Sequence, residues 1–255
     1  MASPTLCGTR CRTDFMHSEQ FLIGGVVRLG NTYYALTVVQ PFLEYVEALS
    51  GEHWSQRTHE ICRPRQVYDV RTGVLLGRLP VAPDTPWEAD ERFYCRDLGW
   101  ALVELADQNT LWTNARVVDW EMENQPSWPK RTGFAIEPRK GGRPPQLVGY
   151  FRGPDDHRRV VSIVANELEK EIVCRKHGKV DVMTPSDAYR LYLSCPYRSY
   201  FAGGWVLDQP NEPDGSFVAL ILPGSSEGDN KAIGSSAAEI LDDIKGNTGE
   251  DVILC

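Results

Sequence analysis

The chain has 255 residues, with 27 Lys and Arg against 35 Asp and Glu, a net charge of −8, and 42% hydrophobic residues. An acidic chain is repelled by phosphate, which argues against nucleic acid and anionic membranes as partners. The composition is that of an ordinary globular protein, and seven Trp, ten Tyr and eight Phe supply a sizeable core.

Residues 1–19 show no periodicity and read as an irregular arm, without an apolar run of signal-peptide length. Short strand-like runs follow. Phe21 to Leu29 contains Gly24-Gly25, Gly30-Asn31 turns the chain, and Tyr33 to Val39 returns it as a hairpin. Gln66 to Val70 and Val74 to Val81 flank a turn at Arg71-Thr72-Gly73, and Trp100 to Leu105 closes the first half. Glu121 to Pro129, with two prolines, reads as a connection between halves.

The second half repeats the style. Expected strands are Arg116 to Trp120, Gly133 to Ile136, Gln146 to Phe151, Val160 to Val164, Lys170 to Cys174, Lys179 to Met183 and Tyr189 to Ser194. Gly203 to Leu207 and Phe217 to Leu222 come last, around Pro213-Asp214-Gly215. So many short strands between turns predict an all-β sandwich or barrel pair. Ser236-Ala237-Ala238-Glu239 has the capping-box pattern, with Ile240, Leu241 and Ile244 on one face and Gly246 as a stop, which predicts a short helix. Asn247 to Cys255 reads as an acidic, frayed tail. The expected organisation is an arm over 1–19, barrels over 20–120 and 131–233 joined by 121–130, a helix over 234–246 and a tail over 247–255.

Seven cysteines at irregular spacing read as free thiols in a reducing compartment, and cytoplasmic residence is expected. Cys7 and Cys11 with His17 resemble half a metal site without a second half, so neither metal nor cofactor is expected. The basic clusters at 139–143 and 157–159 read as solvated loops. Gly24-Gly25 reads as a barrel corner rather than a phosphate loop, because no helix follows.

Three segments point to one family. Leu36-Thr37-Val38-Val39-Gln40 is similar to the segment that ends in the catalytic His of trypsin-like serine proteases. Asp97-Leu98-Gly99-Trp100-Ala101-Leu102-Val103-Glu104-Leu105 resembles the run that carries the Asp in intracellular fungal members. Gly203-Gly204-Trp205-Val206-Leu207-Asp208 resembles the run that follows their nucleophilic Ser. The resemblance covers roughly residues 21–245 and implies the chymotrypsin fold, two six-stranded antiparallel β-barrels with a short C-terminal helix.

It also implies that the triad is degenerate. Gln40 replaces the general base, Gly99 its orienting acid and Ala202 the nucleophile, and Gln has no group that accepts a proton near neutral pH. Asp97 stands two residues early, about 6.5–7 Å along a strand, and reaches the cleft only through a bulge. Tyr200 and Phe201 replace the Gly and Asp before the nucleophile, which alters the loop that, with Gly203, surrounds the oxyanion site.

The resulting expectation is a pseudoprotease whose inter-barrel cleft binds a peptide or protein segment, with Gln40, Asp97, Arg198, Tyr200 and Phe201 as binding residues. One alternative is a repurposed enzyme that takes a small molecule in the cleft and promotes a cyclisation, isomerisation or rearrangement. A second is a hydrolase with a relocated nucleophile at Cys195, paired with His53, His59 or His157. Cys195 is more simply a small apolar residue before Pro196. Trp87, Trp112, Trp120 and Trp128 read as packing residues at the barrel ends.

Overall fold

The computed structural model describes residues 6–14, 20–47, 58–112, 114, 131–132, 147–152, 158–165, 169–177, 180–208, 216–223 and 228–255. The first half is a sheet rolled until its ends meet. Its strands are β1 (Thr9–Thr13), β2 (Phe21–Ile23), β3 (Gly25–Leu29) and β4 (Thr32–Val38). After a projecting hairpin of β5 (Leu43–Glu47) and β6 (Thr58–Cys62) come β7 (Gln66–Asp69), β8 (Leu75–Arg78), the short β9 (Tyr94–Cys95) and β10 (Trp100–Leu105). Pairing runs β3–β4–β10–β8–β7–β1–β2. Since β2 and β3 are halves of one strand broken at Gly24, the ring closes with six members.

Local chemistry makes these turns. Gly30 takes φ +53 between β3 and β4, and Gly73 takes φ +69 between β7 and β8, both in the left-handed region that glycine enters freely. The Asp69 carboxylate accepts from the amides of Arg71 at 2.7 Å and Thr72 at 3.2 Å, which fixes the second turn.

The second half closes in the same way. It contains β11 (Arg131–Thr132), β12 (Leu147–Arg152), β13 (Arg158–Ala165), β14 (Glu169–His177), β15 (Val180–Leu193), β16 (Trp205–Asp208), β17 (Ser216–Leu222) and β18 (Lys231–Ser236). Pairing goes β17–β16–β12–β13–β15–β18 and back to β17. The hairpin of β14 with the outer part of β15 stands beyond this ring, and β11 pairs with β17 in parallel. The helix α1 (Ala237–Thr248) and β19 (Val252–Leu254) then return the chain to the first barrel, where β19 pairs with β3. The expected double barrel with a short C-terminal helix is the observed architecture.

Several expectations need correction. Residues 9–13 are not irregular: Thr9, Cys11 and Thr13 face inward while Arg10 and Arg12 alternate outward. The tail is not frayed over 252–254, because β3 offers it an open edge. The helix does not stop at Gly246. It continues to Thr248, whose hydroxyl donates to the Ile244 carbonyl, and ends at Gly249 with φ +72. Ser236 holds the N-cap position without a side-chain capping bond.

Residues 180–193 form one strand through Pro185, not two. Pro185 pairs with Ile172 of β14, and among the described residues this part of β15 has no second strand beside it, which makes it an edge where proline is tolerated. Arg158 and Arg159 open β13 rather than a loop. The expected strands at 116–120 and 133–136, the connection at 121–130 and the basic cluster at 139–143 lie outside the described residues.

Candidate functional site at the inter-barrel seam

β4 ends at Val38, and Val39 leads into a 3₁₀ turn over Gln40–Phe42, with Pro41 inside it. Val38 pairs with Trp100 across β10, and the Val39 amide donates to the Gly99 carbonyl at 3.0 Å. Gln40 and Gly99 therefore follow directly from a shared backbone contact. Gly99 has φ +76 and is buried, while Asp97 lies in the exposed turn before it. No bulge in β10 carries Asp97 toward Gln40: the pairing of β10 with β4 is regular from Trp100 to Glu104.

The third segment meets the first barrel through Leu22. A 3₁₀ turn covers Ser199–Phe201, and the Ala202 carbonyl accepts from the Leu22 amide at 2.7 Å. The Thr37 hydroxyl, three residues before Gln40, donates to the Leu22 carbonyl at 2.7 Å. Gly203 at φ +91 fits against both: a Cβ there would stand 2.1 Å from the Leu22 oxygen and 2.7 Å from Thr37 Oγ1. The three segments read from the sequence thus meet at one seam.

The seam is closed by packing. Trp205 stacks on Phe217 with ring centroids 4.1 Å apart and lies across Gly24 and Gly25. A Cβ on Gly24 would be 1.8 Å from Trp205 Cδ1, so this glycine pair is the seat of an indole from the other barrel. Behind β10, the Trp100 indole N–H donates to Asp243 of α1 at 2.9 Å, which fixes the helix against the first barrel.

The backbone around Ala202 is committed internally. Its amide donates to the Ser199 carbonyl at 3.2 Å, the Phe201 amide to Arg198 at 2.8 Å, the Gly203 amide to Ile221 at 2.9 Å and the Gly204 amide to Phe201 at 3.0 Å. A peptide N–H has one proton to give. The Ala202 amide has therefore spent it on the Ser199 carbonyl. Ala202 and Phe201 are 4% and 5% exposed, so Phe201 is a core residue and not a wall open to ligand.

Tyr200 is half-buried. Its ring meets Phe201 edge-on at 5.0 Å, and the Arg10 guanidinium lies 4.5 Å from its centroid. Arg198 is exposed at the start of the turn, and Gln40 is half-buried. Reading the sequence missed Arg10, Leu22 and Thr37. Only Gly24-Gly25 signalled a close approach.

Cys195 is half-buried and forms no disulfide, whereas His53 and His157 lie outside the described residues and His59 is placed only as a backbone position in β6. Trp87 is exposed, Trp112 donates its indole N–H to the Asp107 carbonyl at 2.9 Å, and Trp120 and Trp128 lie outside the described residues. A cavity of about 370 Å³ opens elsewhere on the first barrel, lined by Cys62, Asp84, Glu88, Asp90, Glu91 and Arg96 among others. It includes neither Gln40 nor Tyr200, and its Asp90 is already paired with Arg92 at 2.6 Å. No cluster of metal-ligating side chains occurs among the described residues.

Solved structures share the architecture. A homolog of alpha-lytic protease superposes with a TM-score of 0.50 at 14% identity, covering 92% of this chain and 94% of that one. Protease A of Thermobifida fusca gives 0.48 at 10% identity over 98% of each chain. A glutamic acid specific serine protease gives 0.48 at 11% identity, over 98% of this chain and 99% of that one. No protein family profile and no curated protein matches the sequence. The pairing pattern and the alpha-lytic protease homolog define a chymotrypsin-fold double barrel.

Proposed function

We propose that this chain is a catalytically silent relative of the trypsin-like proteases, from the intracellular fungal branch that its motifs resemble, and that its inter-barrel groove binds an extended peptide or protein segment in the cytoplasm. The observation that carries this reading is the Ala202 amide donating to the Ser199 carbonyl. It supports the reading because the position without a hydroxyl, Ala202, also has its amide committed to the Ser199 carbonyl. Gln40 supplies no base, and Gly99 supplies no carboxylate to orient one.

What the seam retains is a binding surface. Gln40 brings a half-buried carboxamide and Arg198 an exposed cation, while Asp97 lies in the exposed turn before Gly99. Tyr200 offers an aromatic edge stiffened by Arg10. Such a set, flanked by strand edges, suits an extended backbone with alternating side chains. The small-molecule alternative needs an enclosed pocket converging on Gln40, and the cavity on the first barrel stands apart from that residue.

The test is a positional library of fluorescent octapeptides, read by polarisation against the purified chain. A binding sequence is expected, and Gln40→Ala and Arg198→Ala should each weaken it at least tenfold while leaving Tm unchanged. Absence of any bound peptide, or binding indifferent to both substitutions, overturns the reading.

A further inference from the structure

β2 and β3 present one continuous edge that two separate strands share. β1 runs antiparallel to the first half, with Thr9 opposite Ile23, and the Gly8 amide donates to the Ile23 carbonyl at 2.8 Å. β19 runs antiparallel to the second half, with Leu254 opposite Val27, and the Cys255 amide donates to the Val26 carbonyl at 3.2 Å. Continued one residue, the β19 register sets Cys255 opposite Val26, whereas β1 opens from a turn, with Gly8 at φ +72 and the Thr9 amide donating to the Leu6 carbonyl at 2.9 Å. The end of β19 therefore faces the start of β1, head to tail, along this edge.

Cys7 and Cys255 flank this junction, and Asn114 ties them together. The Cys7 thiol lies 3.5 Å from Asn114 Oδ1, and the Asn114 backbone amide donates to the Cys255 carbonyl at 2.8 Å. The Asn114 side chain also brackets Val26, accepting from its amide at 2.6 Å and donating to its carbonyl at 2.8 Å. Both cysteines are half-buried and reduced. Their thiols make weak bonds to oxygen, Cys7 to Asn114 Oδ1 and Cys255 to the Ile253 carbonyl, which rotation gives up readily. Burial pushes the Cys255 thiol up to about 11, with Arg28 opposing and Cys7 adding to the rise, as expected for two neighbouring sulfurs.

We propose that Cys7 and Cys255 form a reversible disulfide that staples β19 to the start of β1. The oxidant is a low-molecular-weight disulfide. The Cys7 thiolate attacks it, forming a mixed disulfide and expelling one small thiolate. Cys255, deprotonated, then attacks the Cys7 sulfur, forming the intramolecular bond and expelling the second. Two protein thiols lose two electrons and two protons, and one small disulfide leaves as two thiols. The bond closes a loop from residue 7 to residue 255, and a long loop is the case in which a cross-link constrains the unfolded state most. It also clamps the strand that carries Leu22, Gly24 and Gly25, and so links redox state to the stiffness of the seam.

The experiment incubates the full chain with glutathione disulfide, blocks remaining thiols, and maps peptides without reduction. A Cys7–Cys255 cross-linked peptide and a mass lower by two hydrogens are expected. Amide exchange at 252–254 should slow at least tenfold, and Tm should rise by about 10 °C. Cys255→Ser should abolish the cross-link and the Tm rise, whereas Cys195→Ser should preserve both. Glutathione adducts at Cys7 and Cys255 without a cross-link, or a cross-link that joins either residue to another cysteine, overturn the proposal.

Discussion

The Val39 amide donates to the Gly99 carbonyl at 3.0 Å, so Gln40 directly follows a residue hydrogen-bonded to Gly99. On the proposed reading these are the places of a base and its orienter, and neither Gln40 nor Gly99 carries a side chain that does either job. Gly99 has φ +76, a conformation that L side chains rarely adopt. Restoring an acid there carries a backbone cost in addition to any chemistry.

Gln40→His, Gly99→Asp and Ala202→Ser together should not restore peptide hydrolysis. The amide of residue 202 stays bonded to Ser199, and the Gly99→Asp change adds about 1 kcal/mol of left-handed strain. Amide-substrate kcat/KM is expected to remain within background, with a slightly lower Tm. Turnover above background would show that the loop reopens when the hydroxyl returns.

Gly24→Ala should destabilise the protein by about 3 kcal/mol, roughly 10 °C in Tm. The new methyl would stand 1.8 Å from Trp205 Cδ1, with no room unless the indole leaves its seat. Placed on a Trp205→Phe background, the same change should cost much less, because the two residues share one contact. Equal costs on both backgrounds would mean that the indole does not occupy this seat.

Asp243→Ala should cost about 1–3 kcal/mol by leaving the buried Trp100 indole N–H without its acceptor. The same substitution in Trp100→Phe should be nearly neutral. Chemical denaturation of the four proteins measures the coupling directly.

Acid stability should carry an Asp90 signature. The Arg92 guanidinium holds the Asp90 carboxyl below its ordinary range, although burial opposes this, and Asp90 also accepts from the Arg92 amide. A carboxyl depressed in the folded state contributes stability above its unfolded pKa of about 4. That contribution is lost as pH falls through the lower folded value. With Arg92 largely exposed, its size is about 1 kcal/mol. Asp90→Asn should remove that part of the acid slope below about pH 4 while leaving the rest.

Much of the double barrel was legible because the hairpins carry their own punctuation. Gly30-Asn31 and Arg71-Thr72-Gly73 sit between alternating runs, and both proved to be turns. β1 was hidden because its inward residues are Thr, Cys and Thr, too small and polar to mark a buried face. β5 and β6 were hidden by charged residues and by the ten intervening residues, which lack a tight-turn signal. β19 depends on an open edge of β3, a tertiary circumstance that no local pattern announces.

The candidate site was legible in part. The three motifs pointed to segments that meet at one seam, through Val39 with Gly99 and through Thr37 and Leu22 with Ala202 and Gly203. Phe201 was misread as a binding wall because its burial against Tyr197, at 6.0 Å between rings, is a consequence of the fold. Arg10 escaped notice for the complementary reason: its stacking on Tyr200 depends on the strand that the sequence concealed.

The most direct test of the account is intact-mass analysis of the native chain after exposure to a fluorophosphonate, run alongside hydrolysis of a pooled peptide-amide library. The account predicts an unmodified mass and no turnover. A stoichiometric adduct, or cleavage that survives removal of trace proteases, would contradict it.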